Sequence, residues 1–493
     1  MPTVHTVLLH GLTGHLLTLT ATLTDGPRPA LDLIGRPRSD GCELRDRVRA
    51  ALINSTPRSR GHSVEVHIDP AGSEPDAAAV AVAVLAATHQ VSAKRLSGTA
   101  VLGELGQDGS LHPVPGILPA VQAARAHGLH RVIVPTAALA QAALVDDIDV
   151  LGATTLAEVA AWLAGDDTAL RRPEAPTTPS SDDPLPPTRA LTAPLSHAIE
   201  IAAAGGHHLL IEAPDSAATL AAARWLHHLL PDLTPAQQLE VAAIRSLIGL
   251  REDDPVLVST PPMVTVHHSA STASLIGTAL PGAISRAHHG LLVAPHLDQF
   301  PGAVLGTLRG AMLQRAVLLA RGGHPLRYPA GFQLFATSTR TPGRRRSKLP
   351  PELLDAVDIR LATAAHSVTI RNPGTGEGDA VARSLAHARA RVRTARLRAA
   401  ARWRELSPPD HTGDVTNAAV PVDVLHSVPM PADVTAPVRR AREAGALSRH
   451  GFDAVLRMAW TAADLGGTDG PERHHVEQAL LLRQAVTTHP SER

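Results

Sequence analysis

A short segment around Ile211 has the outline of a phosphate-binding loop. The apolar run Leu209-Leu210-Ile211 reads as a strand, and an alanine-rich stretch from about Ser216 towards Leu230 reads as a helix. A loop that holds a nucleotide follows G-x-x-x-x-G-K-[ST]. Its glycines let backbone N–H groups close on the phosphates, its lysine reaches the outer phosphates and its hydroxyl holds Mg²⁺. In that frame the first glycine is Glu212, the second is Ala217 and the lysine is Ala218, with Pro214 and Ser216 in the turn between; only Thr219 keeps the pattern. Two readings stay open. One is an ordinary strand–turn–helix of an α/β core; the other is weak nucleotide binding through helix N-terminal N–H groups and Thr219. Glu212 and Asp215 oppose the second, because carboxylates repel a polyphosphate.

Histidine is abundant, at 28 residues, with adjacent pairs at 207–208, 227–228, 267–268, 288–289 and 474–475. Neighbours point to opposite faces of a strand, or diverge by about 100° on a helix, so these pairs are expected to be poor chelators. The spacings H-E-x-x-H and H-x-x-E-H are absent. No metal site is expected. The single cysteine, Cys42, excludes a disulfide framework and any multi-cysteine zinc site.

The elements that would position these groups fall into three blocks within 493 residues, 44% of them hydrophobic, enough for two or three cored domains. Lys+Arg and Asp+Glu balance at 46 each, so bulk charge favours no polyanionic partner. Lys94 and Lys348 are the only lysines, and neither follows a strand–turn–helix junction. The longest apolar run, Ala77 to Ala87, is shorter than the roughly 20 residues needed to span a bilayer. The start carries no basic segment leading into an apolar one. The expectation is a soluble cytoplasmic protein with no membrane partner.

From about Asp166 to Pro194 the chain is dense in Pro, Thr, Ser and Asp and reads as a connector. Before it, strands at Val64–Ile68 and Arg131–Pro135 and a buried helix at Asp76–Thr88 indicate a mixed domain. Between them, Leu111 to Leu118 reads as a proline-rich turn launching a helix near Pro119. After the connector, strands at Leu209–Ile211, Gly290–Val293 and Phe332–Ala336 alternate with helical stretches, the pattern of a parallel sheet with crossover helices. Val381–Leu406 reads as one helix with arginines at 383, 389, 391, 393, 396, 398, 402 and 404. Its apolar positions Leu385, Val392, Leu397 and Trp403 suggest one packed side, with the arginines largely a solvated face. Val438 to Val486 reads as helical, broken at Gly466-Gly467 and reopened at Pro471.

Several short motifs, taken in order, resemble the magnesium-chelatase-like AAA+ ATPases of the ComM and YifB type. They are Ile34-Gly35-Arg36-Pro37 with Arg45–Leu52, Leu102–Leu111 continuing into Pro113–Ala120, and His267–Ser271. Pro281–Gly290, Tyr328–Leu334, Leu353–Asp358, and Leu447-Ser448 with Phe452-Asp453 and Ala463–Leu465 complete the series. The resemblance implies an α/β multidomain chain. Residues 1–165 would form a Lon-protease-like, ribosomal S5 domain 2-type α+β domain, and 166–194 a proline-rich linker. Residues 195–375 would form a P-loop AAA+ α/β core, and 376–493 a helical region with a C-terminal helical lid. It also implies ATP and Mg²⁺ as cofactors, a homo- or hetero-oligomeric ring, and DNA processing. Segments 344–348 and 383–404 are the candidates for DNA contact.

The departures fall where that family keeps its chemistry. The Walker B acids would stand at Pro295 and His296, and Asp298 is the nearest acid, beyond the strand end. Mg²⁺ wants oxygen ligands, and water activation wants a carboxylate. The sensor 1 asparagine falls at Thr339, the arginine finger at Ala356, and the lid arginine at Arg449 or His450. A finger arginine supplies on the order of 10³–10⁵ in rate. The expectation is therefore a non-hydrolysing paralogue; the alternative is an ATPase and DNA motor using Thr219, Asp298 and Arg449. The lysine of a Lon-type Ser–Lys dyad would fall at Leu118, so peptidase activity is not expected.

Overall fold

The computed structural model describes residues 2–24, 30–35, 42–55, 63–174, 191–212, 217–250, 254–321, 324–339, 349–362, 377–406 and 415–484. The N-terminal half is built on a seven-stranded mixed sheet. Its strands run, edge to edge, Leu31–Ile34, Ser63–Asp69, Thr13–Thr24, Thr3–His10, Thr99–Val101, Arg131–Pro135 and Asp149–Ala153. Successive side chains alternate between its two faces, and each face has its own core. Val101, Ile133 and Leu151 pack with helices Cys42–Ser55, Ala77–Ala87 and Leu156–Ala164. Ala100, Val132, Val134 and Val150 pack on the other side with helix Ile117–Ala126. Helix Ala77–Ala87 is buried at every residue, because sheet and helices enclose it. The proline-rich turn does launch a helix, starting at Ile117 rather than Pro119. Beyond Asp166 the chain stays on this domain at first: Arg171 exchanges backbone hydrogen bonds with Gly152 at 2.7 and 2.8 Å.

The second half opens with helix Ala193–Gly205 and holds a five-stranded, all-parallel sheet. Its order is Met263–Thr265, Leu291–Ala294, Gln333–Ser338, Leu209–Glu212, Ile359–Ala362. The first strand in sequence lies between the fourth and fifth. Both faces are covered, so the strands read as unbroken apolar runs. Leu209, Ile211, Leu291, Val293 and Phe335 face helices Ala193–Gly205, Ala217–Leu229, Glu377–Leu406 and Arg449–Gly466. Leu210, Leu292, Ala294, Leu334 and Ala336 face helix Gly302–Gln314 and the Pro351–Ala356 turn of helix. The first of these cores continues without a break into the C-terminal helices through Val392, Trp403, Val455 and Val476. The break near Gly466-Gly467 is real: Gly467 adopts φ 79° after helix Arg449–Gly466, and Arg473–Gln484 follows. A hairpin, Ala316–Arg321 with His324–Pro329, had no counterpart in the sequence reading. No helix among the described residues is long and apolar enough to cross a membrane.

Gly290 shows why one of the family-like motifs needs its glycine. Leu291 N–H donates to the Pro262 carbonyl at 2.8 Å, and a Cβ on Gly290 would stand 1.9 Å from that same oxygen. The obstacle is backbone, so it cannot rotate away. Gly290→Ala is expected to lower stability by about 2 kcal/mol, as overpacked sites do. Urea denaturation measures it, and a loss below about 0.5 kcal/mol, the range of neutral surface changes, would refute the steric account.

Candidate functional site

Parallel strands end together, and in open α/β sheets ligands bind outside their carboxyl ends. Glu212 closes its strand in register with Ser338 on one side and Ala362 on the other. Pro214 and Ser216 lie outside the described residues; Ala217, Ala218 and Thr219 begin helix Ala217–Leu229. On the neighbouring strand the chain leaves Ala294 through Pro295 into His296, which adopts a left-handed backbone at φ 53°, ψ 48°. That conformation is uncommon outside glycine, and two contacts hold it here. His296 N–H donates to Thr337 Oγ1 at 3.0 Å, and His296 Nδ1 lies 3.5 Å from Thr339 Oγ1. Asp298 Oδ1 accepts the Thr339 N–H at 3.1 Å. His296 and Thr339 therefore meet, and Asp298 uses its carboxylate to tie one loop to the next.

The remaining site residues stand elsewhere. Ala356 is buried in the core below the sheet, in the segment that leads into strand Ile359–Ala362. Ser448 caps helix Arg449–Gly466 and donates through Oγ to Asp355 Oδ1 at 2.6 Å. Arg483 pins the same segment, giving hydrogen bonds to the Asp355 carbonyl at 2.7 Å and its Oδ1 at 2.8 Å. His450 lies within electrostatic range of His208, which precedes the first strand. Arg449 and His450 are thus at the amino edge of the sheet, one strand length of about 13 Å from the carboxyl edge at 3.3 Å per residue. Within the chain they therefore stand apart from Glu212, His296 and Thr339. Arg449 instead lines a 740 Å³ cleft among the C-terminal helices with Val422, Asp423, His426, Arg442 and Asp453.

The long arginine helix has the expected packed side and exposed arginines, and most of those arginines also find partners within the chain. Arg389 binds Asp232 at 2.9 Å, and Arg391 binds Glu200. Arg396 donates to the Ala203 carbonyl at 2.7 and 2.9 Å, and Arg398 to the Asp464 carbonyl at 2.6 Å. Arg402 forks onto the Asp464 carboxylate. These five tie the helix to its own protein while every described arginine on it stays at least partly exposed. Leu385, Val392 and Trp403 are buried as expected, whereas Leu397 is exposed. Residues 344–348 lie outside the described ones, as does the side chain of Arg383.

Histidine geometry brings a correction. The rings of 267–268, 288–289 and 474–475 lie side by side, with centroids 3.8–4.0 Å apart. His289 is left-handed at φ 59°, which turns its ring onto that of His288. Both Nε2 atoms then reach Glu240 Oε2 at 2.9 Å, from helix Pro235–Ile248. Two imidazoles and a carboxylate could in principle chelate a transition metal. The proton inventory opposes it. His288 Nδ1 accepts the Gly331 N–H at 2.9 Å, so in the neutral ring Nε2 carries the proton and donates it to Glu240. Arg315 adds positive charge close to the ring. The hydrogen bonds from His288 and then His289 hold the Glu240 carboxyl well below the usual carboxylate range. Sequence reading missed this cluster because Glu240 stands some fifty residues away and the backbone turn at His289 carries no sequence signal.

Comparison with known proteins covers nearly all of the chain. Residues 193–352 match the family described as magnesium chelatase, subunit ChlI. Residues 20–138 match subunit ChlI of Mg-chelatase, and 382–483 match the ChlI C-terminal family. An uncharacterized protein of Mycobacterium tuberculosis (strain ATCC 25618 / H37Rv) is 37% identical over 508 residues, covering 97% of both chains. YifB of Salmonella typhimurium is 30% identical, covering 97% of this chain and 96% of its own. Competence protein ComM of Haemophilus influenzae is 30% identical over 67% of each chain. The parallel sheet with helices on both faces fits the AAA+ type, and the chain belongs to the magnesium-chelatase-like family of the YifB and ComM type.

Proposed function

We propose that this chain is a non-hydrolysing member of its family, a structural or regulatory subunit of a ring assembly. One observation carries the reading: at the carboxyl edge of the sheet, His296 and Thr339 face each other where a metal-binding carboxylate and a water-orienting amide are needed. Mg²⁺ demands oxygen donors in near-octahedral array; Pro295 offers no side-chain donor and His296 offers nitrogen. Mg²⁺·ATP does not fit this edge. Against an active ATPase built on Thr219, Asp298 and Arg449 stands the separation of Arg449, at the other end of the strands, from Asp298, which closes the Thr339 loop.

In this reading the N-terminal domain is the family's Lon-like, S5-type module and the C-terminal helices are its lid, both kept for assembly. The name of the competence relative supports a link to DNA processing. The self-bound arginines of Glu377–Leu406 make that helix a poor candidate for the DNA contact. ATP turnover by the purified chain, with and without DNA, tests the proposal, and calorimetric titration with ATP and Mg²⁺ tests binding. Turnover at background level is expected. A rate near 10 s⁻¹, the middle of the enzyme range, that Thr219→Ala abolishes would overturn it.

A further inference from the structure

Helix Pro235–Ile248 touches the two halves of the molecule on two different faces. On one face the Ser246 carbonyl accepts the Gly116 N–H at 2.8 Å, and its hydroxyl accepts the Leu118 N–H at 3.2 Å. These donors are left over at the start of helix Ile117–Ala126, whose N-cap residue is a glycine with no side chain to satisfy them. A residue of the second half therefore caps a helix of the first. The fit is close: Gly116 sits at φ 87°, and a Cβ there would stand 2.3 Å from Leu9 Cδ1 and 2.9 Å from Leu247 Cδ2. Ala242 and Ala243 complete the contact inside the N-terminal core.

Glu240 precedes Ser246 by six residues, which places it about 120° away around the helix at 3.6 residues per turn. There it holds His288 and His289, the residues that lead into strand Leu291–Ala294. His288 in turn holds Gly331, which leads into strand Gln333–Ser338. Those two strands carry His296 and Thr339 at their far ends.

We propose that helix Pro235–Ile248 is a coupling element: the seating of helix Ile117–Ala126 on Ser246 sets the position of Glu240, and through His288 and Gly331 the position of strands Leu291–Ala294 and Gln333–Ser338. The device needs no hydrolysis and holds whether or not the site binds nucleotide. A rigid helix with hydrogen bonds at both faces is the kind of contiguous network that can carry such a bias.

Hydrogen exchange on the full chain tests it with Ser246→Ala, Glu240→Ala and Glu240→Gln. Ser246→Ala is expected to speed exchange in Ile117–Ala126 by about fivefold, the size of an ordinary lost cap. It should also speed exchange in Leu291–Ala294 and Gln333–Ser338, which Ser246 does not bond. Glu240→Ala should do the same in reverse, reaching Ile117–Ala126. Glu240→Gln keeps an acceptor for the imidazole N–H groups and should restore exchange towards that of the unaltered chain. The double variant Ser246→Ala/Glu240→Ala should exceed neither single variant by much. Effects confined to each residue's own neighbours, or multiplying independently in the double variant, would overturn the proposal.

Discussion

Replacing Asp464 by alanine is expected to cost about 3–5 kcal/mol, the range for breaking a buried ion pair from one side. Its carboxylate is almost wholly buried and receives the Arg402 guanidinium and, at 2.9 Å, the Asn417 amide. Arg402 lies between two indoles, 4.1 Å from the Trp460 ring centre and 5.2 Å from that of Trp403. Without Asp464 that cation keeps its aromatic faces but has lost its counter-ion where only 16% of its side chain reaches solvent. The damage spreads through a chain of hydrogen bonds. Asn417 accepts from Trp403 Nε1 at 2.7 Å and donates to Thr461 Oγ1 at 3.0 Å. Thr461 gives its own proton to the Arg457 carbonyl, so His207 Nε2, 2.8 Å away, must donate to it. His207 leads into the first strand of the parallel sheet, so the network binds the C-terminal helices to the sheet beneath them. Asp464→Asn, which keeps the size and one acceptor, should cost less than alanine. Urea unfolding followed by the fluorescence of Trp403 and Trp460 measures both; a loss under about 1 kcal/mol for alanine, the worth of a single neutral hydrogen bond, would refute the ion-pair account.

Much of this second half could be read from the chain. Unbroken apolar runs flanked by helical stretches announce a parallel sheet, and Leu209–Ile211, Gly290–Val293 and Phe332–Ala336 each fall on an observed strand within two residues. Position along the strands was harder. His296 and Thr339 follow strands that run side by side, so their meeting follows from topology. Ala356, Arg449 and His450 were grouped with them by motif alone, yet each sits where a strand begins or a C-terminal helix is anchored. In the arginine helix the exposed face was legible but its partners were not: a run of Arg says nothing about carbonyls and carboxylates that other helices will bring to it. Glu240 with His288 and His289 was invisible because the left-handed residue that joins the two rings is not glycine.

Acid is expected to act on the two halves in opposite directions. Asp76 stands at the start of helix Ala77–Ala87, partly buried, taking hydrogen bonds from Gly103 N–H at 3.0 Å and Thr6 Oγ1 at 3.2 Å. Burial outweighs these bonds and pushes its carboxyl up from 3.8 to about 6. The folded chain then binds this proton before the unfolded one does, so the stability it contributes is present below pH 3.8 and lost as the pH rises through about 6. His208 is the reverse case. Burial drives its imidazole down from 6.5 to about 4, with Arg315, His207 and His450 adding to the effect and Asp358 opposing it. Its Nδ1 already accepts the Leu334 N–H at 2.9 Å, so a second proton has no acceptor to meet there. Here the unfolded chain takes the proton first, and stability present above pH 6.5 is lost as the pH falls through about 4. Each shift corresponds to roughly 3 kcal/mol. Because the two nearly cancel in the whole chain, single variants separate them. Asp76→Asn keeps an acceptor for Gly103 and Thr6 and loses the charge, so its urea midpoint should exceed that of the unaltered chain at pH 7 and match it near pH 4. His208→Gln removes the opposing titration, so the stability of that variant should rise as the pH falls from 6.5 to 4. An Asp76→Asn chain no more stable at pH 7 than the original would show that the buried carboxylate is better solvated than its surroundings imply, and the opposition between the halves would go with it.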